Sequence, residues 1–166
     1  DPEPLQRDPE AEVRRRPDDG SVAAPTAGLH FPAEILEHLR AKGVAIATLA
    51  LHIGPGTFKP VEVEDLSEHP MQPEPFAVGA DAAATINARR AAGGRVWAVG
   101  TTVVRTLETC TDAEGCVRPG TGETSLFIYP PYAFRAVDKL LTNFHLPRST
   151  LLMLVCAFGG YEWVMD

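Results

Sequence analysis

Apolar positions change rhythm along this chain, and each change marks the edge of an element. After Pro32, the residues Ile35, Leu36 and Leu39 recur at helical spacing and share one face, which Gly43 closes. Pro32 itself suits the first helical turn. Val44 to Ile53 then runs apolar, rich in Val, Ile, Leu and Ala, and predicts a buried strand. An Ala-rich helix is predicted from about Val78 to Ala92, ended by Gly93 and Gly94. Arg95 to Val99 forms the next strand, and Gly100 turns it into a helix beginning at Thr101 or Thr102. Ser125 to Tyr129 and Val137 to Thr142 are strand-like. Ser149 or Thr150 caps a last helix through Phe158, closed by Gly159 and Gly160.

Strands alternating with helices predict an α/β fold: a mainly parallel sheet with helices on both faces, an α/β/α sandwich. Sheets of that kind bind ligands at the carboxyl ends of their strands. Residues 1–19 are Pro-rich and charged, which predicts a linker or a remnant of another domain, with residues 20–166 as the α/β domain. Within the first tract, Arg14, Arg15 and Arg16 form a charge run of the kind that is usually solvated. The chain opens at Asp1 without a methionine and ends in a fresh segment, Tyr161 to Asp166, so a fragment truncated at its C-terminus is expected.

Composition narrows the classes. A chain of 166 residues, 45% hydrophobic and 22% charged, is globular and large enough to bury a core. The longest apolar run, Leu151 to Phe158, is far shorter than a membrane span, so no membrane is expected. A net charge of −7 argues against coating nucleic acid nonspecifically, but leaves room for a basic face. Three cysteines without metal-ligand spacing point to reduced thiols in a cytoplasm.

Three segments carry candidate chemistry. Gly54-Pro55-Gly56-Thr57 follows the first apolar strand, and its glycines let a backbone approach a ligand closely. It is neither a P-loop nor a dinucleotide fingerprint, and a plain tight turn fits it equally well. Gly100 to Glu108 is a strand–turn–helix unit whose first turn, Thr101 and Thr102, offers free N–H groups to an anion. Arg105 and Glu108 stand three apart on that helix, which permits a mutual surface ion pair. Thr142 to Thr150 places Asn143 and His145 at the end of an apolar strand, where a histidine serves proton exchange or a structural hydrogen bond. Glu68-His69, with Glu74 nearby, could supply further acid–base groups from a loop. The histidine spacing fits no standard zinc set, so no metal is expected.

Taken in order, Gly20 to Phe31, Leu51 to Val61, Glu68 to Glu74, Val99 to Glu108, Leu126 to Pro130 and Leu140 to Phe158 resemble the S-adenosylmethionine:tRNA ribosyltransferase-isomerase family of queuosine biosynthesis. The resemblance implies a family fold pairing an α/β domain with a β-barrel, the barrel being largely absent from this chain. It also implies a reaction. The ribosyl group of S-adenosylmethionine, a co-substrate and not a cofactor, moves to 7-aminomethyl-7-deazaguanine in tRNA and is isomerised, giving epoxyqueuosine, adenine and methionine. The expected partners are that donor and a tRNA with a GUN-type anticodon, and the protein is expected to be a cytoplasmic monomer.

On this reading His145 and His69 lead the acid–base candidates, followed by Glu68 and His30. Arg105 and the Thr101–Thr102 turn would hold the methionine carboxylate, next to Glu108. Gly54, Gly56 and Thr57 would line the adenosine pocket, and Asn143 would orient a sugar hydroxyl. Gln72 stands where family members usually carry a second histidine. The alternative is a catalytically silent chain that only binds S-adenosylmethionine or tRNA.

Overall fold

A computed structural model describes residues 26–54 and 60–166. A short 3-10 turn, Thr26–His30, leads into α1 (Ala33–Ala41). Pro32 caps α1 with the extended backbone its ring prefers, and Gly43, at φ +79°, lets the chain leave. No residue of α1 is buried. Its apolar stripe is therefore a surface feature among the described residues.

The expected buried strand over Val44 to Ile53 is a correction. Only β1 (Ala50–Leu51) pairs, and Val44 is 47% exposed. An apolar run becomes a strand only where a neighbour supplies hydrogen bonds, and here the neighbour, β2 (Glu74–Val78), meets just its end. Ala50 pairs with Ala77 and Leu51 with Phe76, antiparallel. On its other side β2 pairs antiparallel with β4 (Gly120–Thr124), from Glu74 opposite Thr124 to Val78 opposite Gly120. Pro75 lies one residue beyond the last β1 pair. Its carbonyl accepts the His52 N–H at 2.8 Å, but with no N–H of its own proline returns no bond to that strand, and the β1 pairing stops there. Phe76 faces Gly122, where an added Cβ would lie 3.1 Å from the ring. Glycine makes room for the aromatic across the strand.

The parallel part of the sheet system is smaller than expected. β3 (Trp97–Val99) and β5 (Lys139–Leu141) run parallel, with Ala98 opposite Leu140. Among the described strands this is the one parallel pairing, against two antiparallel ones in the separate sheet β1-β2-β4. The mainly parallel sandwich is thus corrected to a mixed α/β fold. Ser125–Tyr129 is not a strand either, because the pairing partner of β2 ends at Thr124.

The helices behave as their patterns predict. α2 (Ala80–Ala91) buries Ala83 and Ile86, starts two residues after Val78, and is released by Gly93 at φ +76°. Asn87 clamps the loop beside it, donating to the Val117 carbonyl at 2.8 Å and accepting its N–H at 2.9 Å. α3 (Thr101–Cys110) is buried from Val104 through Glu108 without a break, so it is enclosed on every side. α4 (Thr150–Gly159) is capped by the Ser149 hydroxyl, which accepts the Leu152 N–H at 3.1 Å. Gly160, at φ +89°, then turns the chain into α5 (Tyr161–Met165).

Around α3 lies the core: Val78, Ala83, Ile86, Ala98, Val104, Leu107, Ile128 and Leu154. Tyr132, Phe134 and Phe158 extend it through edge-to-face ring contacts 4.9 and 4.8 Å apart. No helix among the described residues is long and apolar enough to cross a membrane.

Candidate functional site

Parallel pairing sets the first cluster. Because β3 and β5 are neighbours running the same way, their carboxyl ends open side by side, and the Gly100 N–H donates to the Leu141 carbonyl at 2.8 Å. The Thr101–Thr102 turn of α3 and the Thr142–His145 loop are thereby brought together. Thr101 is buried and Thr102 half-buried. Ala27, in the turn that ends at His30, lies 3.8 Å from where a Gly100 side chain would begin. His30 itself is exposed.

His145 is half-buried, and its Nε2 lies 3.2 Å from the Thr142 hydroxyl. Burial lowers its proton affinity below the ordinary histidine value, since a charged imidazolium is poorly solvated there. The ring is therefore neutral, and able to accept a proton, over more of the acid range than a free histidine. Asn143 Oδ1, in the same loop, is buried with no hydrogen-bond partner among the described residues. Phe144, between them, is fully exposed.

A second cluster forms around His69. Asp65 accepts the Ser67 N–H at 2.9 Å and its hydroxyl at 2.7 Å, which caps the 3-10 turn Leu66–Glu68 and presents His69 beyond it. The His69 ring packs against Phe127 at 5.2 Å, and Phe127 packs against Tyr129 at 4.9 Å. These rings line a cavity of about 310 Å³ with Leu66, Ser67, Met71 and Ser125. Glu68 and Gln72 are exposed and do not line it. Sequence reasoning missed Phe127 and Tyr129 as site residues. The signal was present: Leu126 and Ile128 belong to the core while Phe127 and Tyr129 face the cavity, an alternation that a strand-like segment implies.

Between the clusters stands a buried ion pair. Arg105, 2% exposed, binds Glu74, 1% exposed, through Nη1, and its Nε donates to the Leu126 carbonyl at 3.0 Å. Glu74 Oε1 also accepts the Gly54 N–H at 3.0 Å. One guanidinium thus ties together the end of the first apolar run, the strand after His69, and the start of the aromatic segment. Arg105 Nη2 is buried without a hydrogen-bond partner among the described residues. Further along, the Val61 N–H donates to the Arg148 carbonyl at 2.7 Å and Pro60 bridges Ser149. Gly54 and Pro60, the described residues on either side of the glycine turn, are thus tied to Glu74 and to Ser149 respectively. Gly56 and Thr57 lie outside the described residues, and an added side chain at Gly54 meets nothing within 4 Å.

The mutual Arg105–Glu108 surface pair is corrected. Glu108 is fully buried and turned away, accepting the N–H groups of Arg135 and Ala136, both at 2.9 Å, and of Val137 at 3.3 Å. On a helix enclosed all round, each charge must find its partner in the wall it faces, because an unpaired buried charge is expensive. Glu108 therefore orders the approach to β5. It touches neither cluster.

Similarity to known proteins fits this arrangement. The family model described as "Queuosine biosynthesis protein" matches residues 15–166, and the chain belongs to that family. It is 60% identical over 149 residues to the S-adenosylmethionine:tRNA ribosyltransferase-isomerase of Moorella thermoacetica, covering 90% of this chain and 44% of that protein. The protein of the same name from Symbiobacterium thermophilum is 62% identical over 146 residues, covering 88% of this chain and 43% of the relative. Among solved structures, S-adenosylmethionine tRNA ribosyltransferase from Thermotoga maritima superposes with a TM-score of 0.65 at 45% identity, over 84% of this chain and 43% of that one. The chain spans less than half the length of these relatives.

Proposed function

We propose that this chain supplies the α/β catalytic portion of a cytoplasmic enzyme that transfers and isomerises the ribosyl group of S-adenosylmethionine onto 7-aminomethyl-7-deazaguanine in a tRNA with a GUN-type anticodon. Epoxyqueuosine-tRNA, adenine and methionine are the products. S-adenosylmethionine is consumed as a co-substrate, and no separate cofactor takes part. The observation that carries the reading is the meeting of the Thr101–Thr102 turn with the Thr142–His145 loop, in a chain 60% identical to a ribosyltransferase-isomerase.

The donor's chemistry asks for what this junction offers. A sulfonium acidifies the hydrogens of the adjacent ribose carbon, and a neutral imidazole can remove one. His145, kept neutral by burial, is the assigned base. The first turn of α3 receives the methionine carboxylate, since its free N–H groups and dipole favour an anion. Asn143 Oδ1, without a partner among the described residues, accepts a hydrogen bond from a ribose hydroxyl. Arg105 and Glu74 act behind the site as its frame. The resulting carbanion opens the ribose and expels adenine, which takes up a proton; the amine of the tRNA base attacks the sugar and loses one; and methionine leaves as the bond between sulfur and the ribose carbon breaks on ring closure.

A second reading, binding of the donor or of tRNA without turnover, is favoured by one fact: the chain covers 44% of the relative's length. Adenine release from S-adenosylmethionine in the presence of tRNA carrying the 7-deazaguanine separates the two. Release that depends on the modified base supports transfer, whereas binding with no release supports the silent reading.

A further inference from the structure

The aromatic cavity is not used by the proton transfer just described. Phe127 stands in the middle, 5.2 Å from the ring of His69 and 4.9 Å from that of Tyr129, with tilts of 53° and 48°. All three side chains are half-buried, so each keeps part of its surface toward the cavity. Their backs are held. Leu126 and Ile128 on either side pack into the core, and the Leu126 carbonyl is fixed by Arg105. Met71 adds an adaptable thioether to the wall, and the edge offers the Ser125 hydroxyl and the Ser67 oxygen as an acceptor, its proton being given to Asp65. The volume of about 310 Å³ lies at the lower end of the range of ligand sites.

We infer that the His69–Phe127–Tyr129 shelf is a stacking site for a purine-like base. This rests on the ribosyl-transfer reading for the source of the base, though not for the stacking itself. With tilts of 53° and 48° the three faces are not coplanar, so a flat fused bicycle stacks on one of them, meets its neighbours edge-to-face, and turns its polar edge to the hydroxyls. A point cation would instead ask for rings closed around it as a cage. Rings in a row, backed by core residues, lose little freedom on binding, which favours a rigid planar guest. Two molecules in the proposed reaction bring such a base: the donor brings adenine, and the tRNA brings 7-deazaguanine. The shelf takes the shared chemistry.

The test titrates the full chain with adenine and, separately, with 7-aminomethyl-7-deazaguanine, while NMR follows the Phe127 and Tyr129 ring protons. Cytosine and trimethylsulfonium are run alongside. Ring-proton shifts with a base, and a loss of about ten- to hundred-fold in affinity for Phe127→Ala, are expected. Phe127→Leu keeps apolar bulk without a π-face and should lose most of the same affinity, while Phe127→Tyr should restore it. Preference for adenine assigns the shelf to the donor, and preference for the deazaguanine assigns it to the tRNA; either supports the inference. Equal binding by Phe127→Ala, or trimethylsulfonium shifting the same rings at least as tightly as the bases, overturns it. Base binding without any adenine release would leave the shelf standing and remove the transfer reading. Full turnover in Phe127→Ala at unchanged KM would do the reverse.

Discussion

His145 and His69 are both imidazoles on loops that follow short elements, yet the fold engages them in opposite ways. His145 is held through a ring nitrogen, by the Thr142 hydroxyl, in surroundings that depress its proton affinity. His69 is held through its ring, against Phe127, on the wall of a cavity. The same side chain can exchange a proton or extend an aromatic surface, and what decides is which part of it the neighbours leave available. Residue type alone would assign both to acid–base work.

The sharpest way to break this contrast is substitution in the active enzyme. His145→Gln should lower adenine release by about 10²–10⁴-fold, the usual contribution of a positioned proton acceptor. His69→Phe keeps a ring on Phe127 and should lose less than about tenfold, the scale of one aromatic contact. A large loss at His69→Phe would return His69 to proton transfer and end the distinction.

Stability separates the frame from the sites. Arg105→Met leaves Glu74 buried without its cation and should cost about 3–5 kcal/mol in denaturant unfolding, with the double change Arg105→Met, Glu74→Gln recovering much of it. Glu108→Gln weakens charge-assisted bonds to Arg135, Ala136 and Val137 and should cost about 1.5–3 kcal/mol. Arg105 and Glu108 stand three apart on one helix but have separate partners, so a coupling of no more than about 1 kcal/mol between the two losses is expected. Strong coupling between them would show that the two carboxylates share one support.

The smallest expected effect is in pH. The His145 proton affinity is lower in the folded chain than in the unfolded one, so the unfolded state takes up its proton first as pH falls. Stability from this group is complete above the ordinary value of 6.5 and declines below it, until the folded ring also protonates. The acid limb of the turnover profile should likewise fall below 6.5. An NMR titration of the His145 ring with a midpoint above that value would contradict both expectations.

The helices were legible because period and punctuation agreed: Pro32 and Gly43 around α1, Gly93 after α2, Ser149 at the start of α4. The parallel pair β3–β5 was legible too, as short apolar runs between helices. The antiparallel sheet was hidden. β2 carries Pro75, and β4 reads Gly-Thr-Gly-Glu-Thr, both poor in strand-forming residues; pairing with each other, and not propensity, makes them strands. The run from Val44 to Ile53 deceived in the opposite sense, apolar but mostly unpaired. In the site, His145, Asn143 and the threonine turn could be placed at strand ends from order alone. The roles of Arg105 and Glu108 could not, since charged residues are rarely fully buried and their partners, Glu74 and the 135–137 loop, are distant in sequence.

Enclosure of α3 has one more consequence. Its first turn carries Thr101 at the strand-end junction, and one turn later it carries Arg105, which fixes the aromatic segment. Four residues of helix, about 6 Å along its axis, thus separate the turn beside the proposed proton acceptor from the residue that fixes the proposed stacking segment. A wall on every side keeps that gauge from sliding, so inserting or deleting a single residue in α3 would rescale the distance between the two chemistries at one stroke.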